Sequence, residues 1–257
     1  MGILTTKVEM GFWLAFILSP IITMIIGLFI GLFALRTKEH FFAIYTLCVG
    51  YIIYLLIDKW ESLTGGVRGL IGIPPLPNIG PIELSDPIYR YYFVLLILLL
   101  SIFVIYRIIN SLVGRTFTAI RNSENLALAL GISTTVNKLL AFVLSTFFAG
   151  LAGVLYAVFI RFLGPEISST IIMFDLLTFL IVGGIGTFAG PIVGTLLIVW
   201  VSQSLQFLEE YRMLVFGPIL TLMIIFSPYG IVGLFKNISA KRKVKKVKVP
   251  IETEKGA

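Results

Sequence analysis

Long, nearly uninterrupted apolar runs decide what this chain can fold into. An α-helix rises about 1.5 Å per residue, so roughly 20 apolar residues cross the roughly 30 Å hydrocarbon core of a bilayer. Runs near that length occupy 11–35, 41–57, 90–109, 138–160, 168–187, 188–208 and 213–235. Inside hydrocarbon every backbone N–H and C=O needs an internal partner, and for runs of this length helices supply it. The expected fold is all-α: a polytopic transmembrane helix bundle of about seven spans. Charge supports this. Only 13% of the residues are charged, against about 25% in soluble domains, too few to cover a water-facing surface.

The first run carries Pro20, a site for a kink, and ends at Arg36 and Lys38. No signal-peptide cleavage pattern follows it, so it is expected to stay in the protein. Basic residues set orientation. With the loop after the third run in the cytoplasm, 14 of the 20 Lys and Arg residues lie inside, eight of them in the tail. The amino end is therefore expected outside and the carboxyl end inside. The chain divides into a transmembrane domain, 1–235, with a polar loop at 110–137, and a basic cytoplasmic tail, 236–257. The tail suits anionic lipid headgroups or simply fixes topology. No aromatic interleaving points to nucleic acid.

Weakest among the spans is 168–187, which holds Asp175 and ends in GGIGT. It reads as a crossing, or as half of a hairpin that enters the membrane and returns with 188–208. Between the second and third runs lies DKWESLTGGVRGLIGIPPLPNIGPIELSDP, rich in Gly and Pro. It fits no strand or helix of useful length and predicts a stiff outer loop or lid.

The polar loop contains the chain's clearest non-membrane helix, predicted over Thr116–Leu130. Gly131 is a natural left-handed stop, and Ser133 or Thr134 can cap the next span. Phe117, Ile120, Ala127 and Leu130 fall near one face, while Arg121 and Glu124, three apart, can pair with each other or with a partner. Two readings stand: a docking helix for a soluble subunit, or an amphipathic connector resting on headgroups.

Ala141, Ser145, Ala149, Gly153 and Ala157 recur every four residues and predict a smooth helix-packing groove on 138–160. Gly27 and Gly31 repeat the pattern earlier, and Gly186, Gly190 and Gly194 later. GGIGTFAG at 183–190 lacks the Lys-Ser or Lys-Thr of a phosphate loop. It predicts a tight break between two apolar helices, whose N–H groups can face an anionic solute. Asp175 is the one strong candidate for an ionisable residue at membrane depth, since such residues are costly there. His40 sits at the start of a span, an interfacial position, and Cys48 has no bridging partner. No metal-ligand spacing, paired buried acids or nucleophile motif occurs, so no enzyme site is expected. The scarcity of buried acids also argues against ion coupling.

Several stretches, in order, resemble one family. HFFAIYTLCVG at 40–50, SLTGGVRGLIGIPP at 62–75, AIRNSENLALALGI at 119–132 with NKLLAFVLSTFFAGLAGVLYA after it, VGGIGTFAGPIVG at 182–194 and FSPYGIVGLF at 226–235 are similar to the permease subunit of branched-chain amino-acid ABC importers, the M-type rather than the H-type. The resemblance covers roughly 32–235. It implies that Arg121, Glu124, Ala127 and Gly131 lie in the loop that docks into an ATPase subunit. It implies a second permease subunit, two ABC ATPase subunits, an extracytoplasmic solute-binding protein and the surrounding lipid as partners, with no cofactor on this chain and ATP hydrolysed elsewhere. Thr64, Gly65 and Gly66 of the outer loop, with Asp175, Gly183, Gly184 and Gly186, form the candidate substrate path. The chain departs from the family in lacking its Gly-Gln-x-Ser-x-Gly-His segment, and Leu126 and Leu128 make the docking loop unusually apolar. Leucine, isoleucine, valine or a similar small amino acid is the expected solute, although related permeases serve urea or short amides. The alternative is a self-contained secondary carrier or channel for a small polar solute.

Overall fold

The computed structural model describes residues 1–37, 40–78, 86–204 and 230. The expected span 213–235, Gly230 apart, and the basic tail 236–257 lie outside the described residues. The chain forms two compact units, Met1–Thr170 and Ile171–Ala257.

The first unit opens with α1 (Gly2–Thr6), α2 (Phe12–Ala34) and α3 (His40–Lys59). After α3 come the single turn α4 (Glu61–Thr64), a 3-10 turn at Gly66–Arg68 and the short strand β1 (Leu70–Ile71). The helix α5 (Pro87–Ile109) starts on a proline, whose missing N–H is harmless at that position. Next are α6 (Leu112–Asn122), α7 (Glu124–Ala129) and α8 (Thr134–Ile160), then β2 (Phe162–Leu163). The second unit contains α9 (Thr170–Gly183) and α10 (Gly190–Ser204).

Among the described residues, four helices are long and apolar enough to cross a membrane: Phe12–Ala34, Phe41–Lys59, Pro87–Ile109 and Thr134–Ile160. They match four of the predicted runs. The run 168–187 is not one continuous helix. Its helix α9 has 14 residues and ends at Gly183, a rise of about 21 Å that falls short of the bilayer core. The chain breaks at Gly184 and Gly186, both with positive φ, before α10 begins at Gly190.

Burial within the first unit is inverted relative to a soluble protein. On α2 the buried residues are small: Ala15, Ser19, Pro20, Gly27, Gly31 and Ala34. Its large side chains, such as Ile17, Phe29 and Phe33, face outward. On α5 only Ile97 is buried, while Leu96, Leu99 and Phe103 are exposed. Helices that are apolar all round and bury only their small residues belong in lipid, where close backbone approach rather than hydrophobic sequestration drives packing.

The packing of α2 on α8 follows this rule. A Cβ on Gly27 would collide with the side chain of Thr146, and one on Gly31 would lie 2.8 Å from the ring of Phe142. Across the same seam, a Cβ on Gly150 would lie 2.8 Å from Thr23. Ser19 donates its hydroxyl to the Ala15 carbonyl (2.6 Å) and Thr23 to the Ser19 carbonyl (2.8 Å), so neither hydroxyl is stranded in an apolar setting. Phe93 of α5 meets Phe16 edge-on, and Phe42 of α3 meets Phe142 of α8 likewise.

The described part of the Gly- and Pro-rich loop, up to residue 78, is held by long-range pairing. β1 and β2 pair antiparallel, with Leu70 opposite Leu163 and Ile71 opposite Phe162. Ile73 is fully buried and Leu76 packs with Val158. The two-residue strand and the single helical turn agree with the expectation that no strand or helix of useful length forms here. Their pairing partner lies about ninety residues away, so no local pattern announces it.

Candidate functional site

The polar segment between α5 and α8 is two helices, not the one predicted over Thr116–Leu130. Ser111 opens α6, its hydroxyl accepting the Gly114 N–H at 3.4 Å. Ser123 has extended backbone (φ −159°, ψ 109°), which ends α6 and starts α7, and its hydroxyl accepts the Leu126 N–H at 3.3 Å. The break resets the helical phase. Ile120 and Ala127 are buried as the predicted face requires and Phe117 is half-buried, but Leu130 is 71% exposed.

Gly131 ends α7 in the left-handed region (φ +79°). Its N–H bonds to the Leu128 carbonyl (2.9 Å), and the Ile132 N–H bonds to the Ala127 carbonyl (3.0 Å). These paired bonds satisfy the last carbonyls of α7 and reverse the chain into α8, the turn that glycine adopts without a Cβ penalty. Ser133 takes the N-cap position of α8 but makes no side-chain capping bond, contrary to expectation. The segment is fixed to α8 at two points. Thr116 Oγ1 lies 3.1 Å from Asn137 Oδ1, and Lys138 Nζ forms an ion pair with Glu124.

The predicted docking residues therefore occupy one short unit. Ala127 is its buried foot, Glu124 its tie to α8, Gly131 its exit turn, and Arg121 lies exposed at the end of α6. The two leucines that make the loop unusually apolar form its exposed flanks. Leu126 is 61% exposed and Leu128 52%, on either side of buried Ala127.

The small-residue ridge lies one register away from the helix contact. α2 packs on the row Phe142, Thr146 and Gly150. Ser145, Ala149 and Gly153 are exposed in this chain, and Ala157 is buried. Ala149, Gly153 and Ala157 line a cavity of about 530 Å³ between α1, α2 and α8.

The candidate path residues fall in both units. In the first, the Thr64 hydroxyl lies 2.6 Å from the Ile57 carbonyl and accepts the Gly66 N–H at 3.3 Å, so it braces the turn. Gly65 and Gly66 both have positive φ, at +78° and +55°. In the second, Asp175 is half-buried on α9, Gly183 and Gly184 are buried, and Gly186 is exposed. A Cβ on Gly183 would strike the Gly190 carbonyl, and one on Gly194 would strike that of Phe179, so α9 and α10 meet backbone to backbone. Among the described residues, no group of three His, Cys, Asp or Glu side chains could hold a metal ion.

The sequence pattern described as "Branched-chain amino acid transport system / permease component" matches residues 1–226 of the chain. The chain belongs to this family of permease components. Among curated proteins, the chain is 31% identical to the high-affinity branched-chain amino acid transport system permease protein LivM of Salmonella typhimurium. That match covers 91% of the chain and 60% of the relative. LivM of Escherichia coli K12 is 30% identical over 93% of the chain and 63% of the relative. LivH of Salmonella typhimurium is 30% identical over 77% of the chain. The chain thus spans about 60% of the length of the LivM proteins it matches, and it aligns with them over more of itself than with LivH. No solved structure matches it. Family membership and the four apolar helices make it a multi-pass membrane protein, of a transport rather than an enzyme family.

Proposed function

We propose that this permease is a membrane-spanning subunit of an ABC importer for branched-chain or similar small amino acids, lining half of a path shared with a second permease subunit. α6 and α7 dock on an ABC ATPase subunit, and ATPase closure is passed through them to α8. The path residues are Thr64, Gly65 and Gly66 at the outer turn and Asp175, Gly183, Gly184 and Gly186 at the glycine break. The docking segment and carboxyl end lie in the cytoplasm, the β1–β2 end faces outward, and an extracytoplasmic binding protein delivers the solute.

One observation carries this reading beyond family membership. A capped, doubly tethered pair of short helices is set between two spanning helices, with Ala127 anchoring it and leucines exposed on its flanks. Such a segment moves as one piece with α8, as a coupling element must. The decisive experiment co-expresses the permease with the second permease, the ATPase and the binding protein and measures uptake of labelled leucine, isoleucine, valine and urea into proteoliposomes. ATP-dependent uptake of the aliphatic amino acids is expected. Uptake by the permease alone, driven by an ion gradient, would establish a secondary carrier instead.

A further inference from the structure

The outer turn holds two opposite charges around one hollow. A cavity of about 530 Å³ is lined by Glu61, Gly65, Val67, Arg68, Gly69 and Ile71. Its frame is rigid by construction. Gly65, Gly66 and Gly69 all have positive φ. A Cβ on Gly65 would strike the Gly69 carbonyl, and one on Gly69 would lie 2.9 Å from the Cα of Gly164, so the chain is folded as tightly as glycine permits. The β1–β2 pairing fixes Ile71 against Phe162. Asp58 is paired with Lys59 at 3.0 Å, whereas among the described residues Glu61 and Arg68 have no ion-pair partner. Val67 and Ile71 add two aliphatic surfaces, 72% and 74% exposed.

We infer that this hollow is a binding site for the zwitterion of an aliphatic α-amino acid, with Arg68 taking the carboxylate, Glu61 the ammonium, and Val67 and Ile71 the side chain. A guanidinium offers a planar fork that meets a carboxylate with two parallel bonds. A carboxylate accepts from an ammonium, and a ligand carrying both charges leaves neither protein charge unmatched. The volume falls in the range of about 300–1,000 Å³ common for small-molecule sites. Exposure on the solvent side makes the site weak and fast-exchanging, which suits a way-station at the mouth of a path. α8 runs 27 residues, about 40 Å, between this end and the docking helices, so the hollow sits at the opposite end of that helix from α7. The inference rests on the amino-acid reading above and adds to it a place and a charge code.

The test uses the assembled transporter in nanodiscs without its binding protein. Saturation-transfer NMR compares L-leucine with leucinol, which lacks the carboxylate, and 4-methylpentanoate, which lacks the ammonium. Leucine is expected to bind roughly tenfold more tightly than either, the scale of one charge-assisted hydrogen bond in a half-open site. Arg68→Gln is expected to reduce leucine to the level of leucinol, and Glu61→Gln to the level of 4-methylpentanoate. Arg68→Lys, which keeps charge but loses the fork, is expected to fall between wild type and Arg68→Gln. Equal binding of the three compounds, or leucine binding indifferent to both variants, overturns the site. So does leucine binding left intact in both variants while the same nanodiscs, with the binding protein then added, bind that protein less tightly, which would make the hollow a docking surface. Failure of the amino-acid reading itself shows separately, as absence of leucine uptake by the wild-type transporter.

Discussion

Glu124, the first residue of α7, is ion-paired with Lys138 near the start of α8, fourteen residues further along the chain. The pair spans the Gly131 turn and ties the short helix to the long one. Both side chains are partly exposed, 45% for Glu124 and 38% for Lys138, so its contribution to stability is under about 1 kcal/mol. Its value lies in geometry. Motion imposed on α7 reaches α8 through this strut as well as through the chain.

Reversing the pair separates a strut from a partner contact. Glu124→Lys and Lys138→Glu each place like charges face to face and should lower ATP-coupled uptake several-fold, with normal abundance in the membrane. The double reversal should restore most of it. Uptake that stays low in the double variant would mean that Glu124 or Lys138 touches another subunit directly.

Gly131→Ala isolates the turn. Nothing lies within 4 Å of the position a Cβ would take, so the penalty is purely conformational, about 1 kcal/mol for a non-glycine residue in the left-handed region. Gly131→Asn should cost less, because Asn tolerates that region. Protease sensitivity of the 110–137 loop is expected to rise in the order Gly, Asn, Ala.

Two glycines of the spanning helices should behave oppositely. Gly27→Ala drives a methyl into Thr146 and should lower thermal stability in detergent by about 1–3 kcal/mol. Gly153→Ala meets nothing within 4 Å and should change stability by less than about 0.5 kcal/mol.

The one cysteine, Cys48, is exposed on α3, so a Cys48→Ser background permits single-site labelling. Arg68→Cys should react with an impermeant maleimide only from outside, and Asn125→Cys only from the cytoplasmic face. Labelling of both from one side would break the proposed topology.

The four spanning helices were legible because a run of apolar residues is a direct measure of what lipid can solvate. The stop at Gly131 was legible because its requirement is local. The break at Ser123 was not, since every residue of Thr116–Leu130 tolerates a helix and only the serine ahead of Glu124 hints at a fresh cap. Spacing revealed a small-residue ridge on α8 but not which of two adjacent rows meets α2: that choice depends on where Gly27 and Gly31 sit on the other helix. β1 was invisible because two residues become a strand only through a partner about ninety positions away. Within the docking segment, the named residues emerged from pattern and resemblance, whereas the flanking role of Leu126 and Leu128 needed the buried foot at Ala127 to give the helix a direction.

The central claim is that α7 is held by an ATPase. A photoreactive residue placed at Leu128 in the assembled transporter tests it most directly. Leu128 is 52% exposed and lies on the opposite flank of α7 from Leu126, so a partner that encloses the helix must touch it. Crosslinking is predicted to yield an adduct with the ATPase subunit. Adducts confined to lipid, or formed with the extracytoplasmic binding protein, would contradict the account.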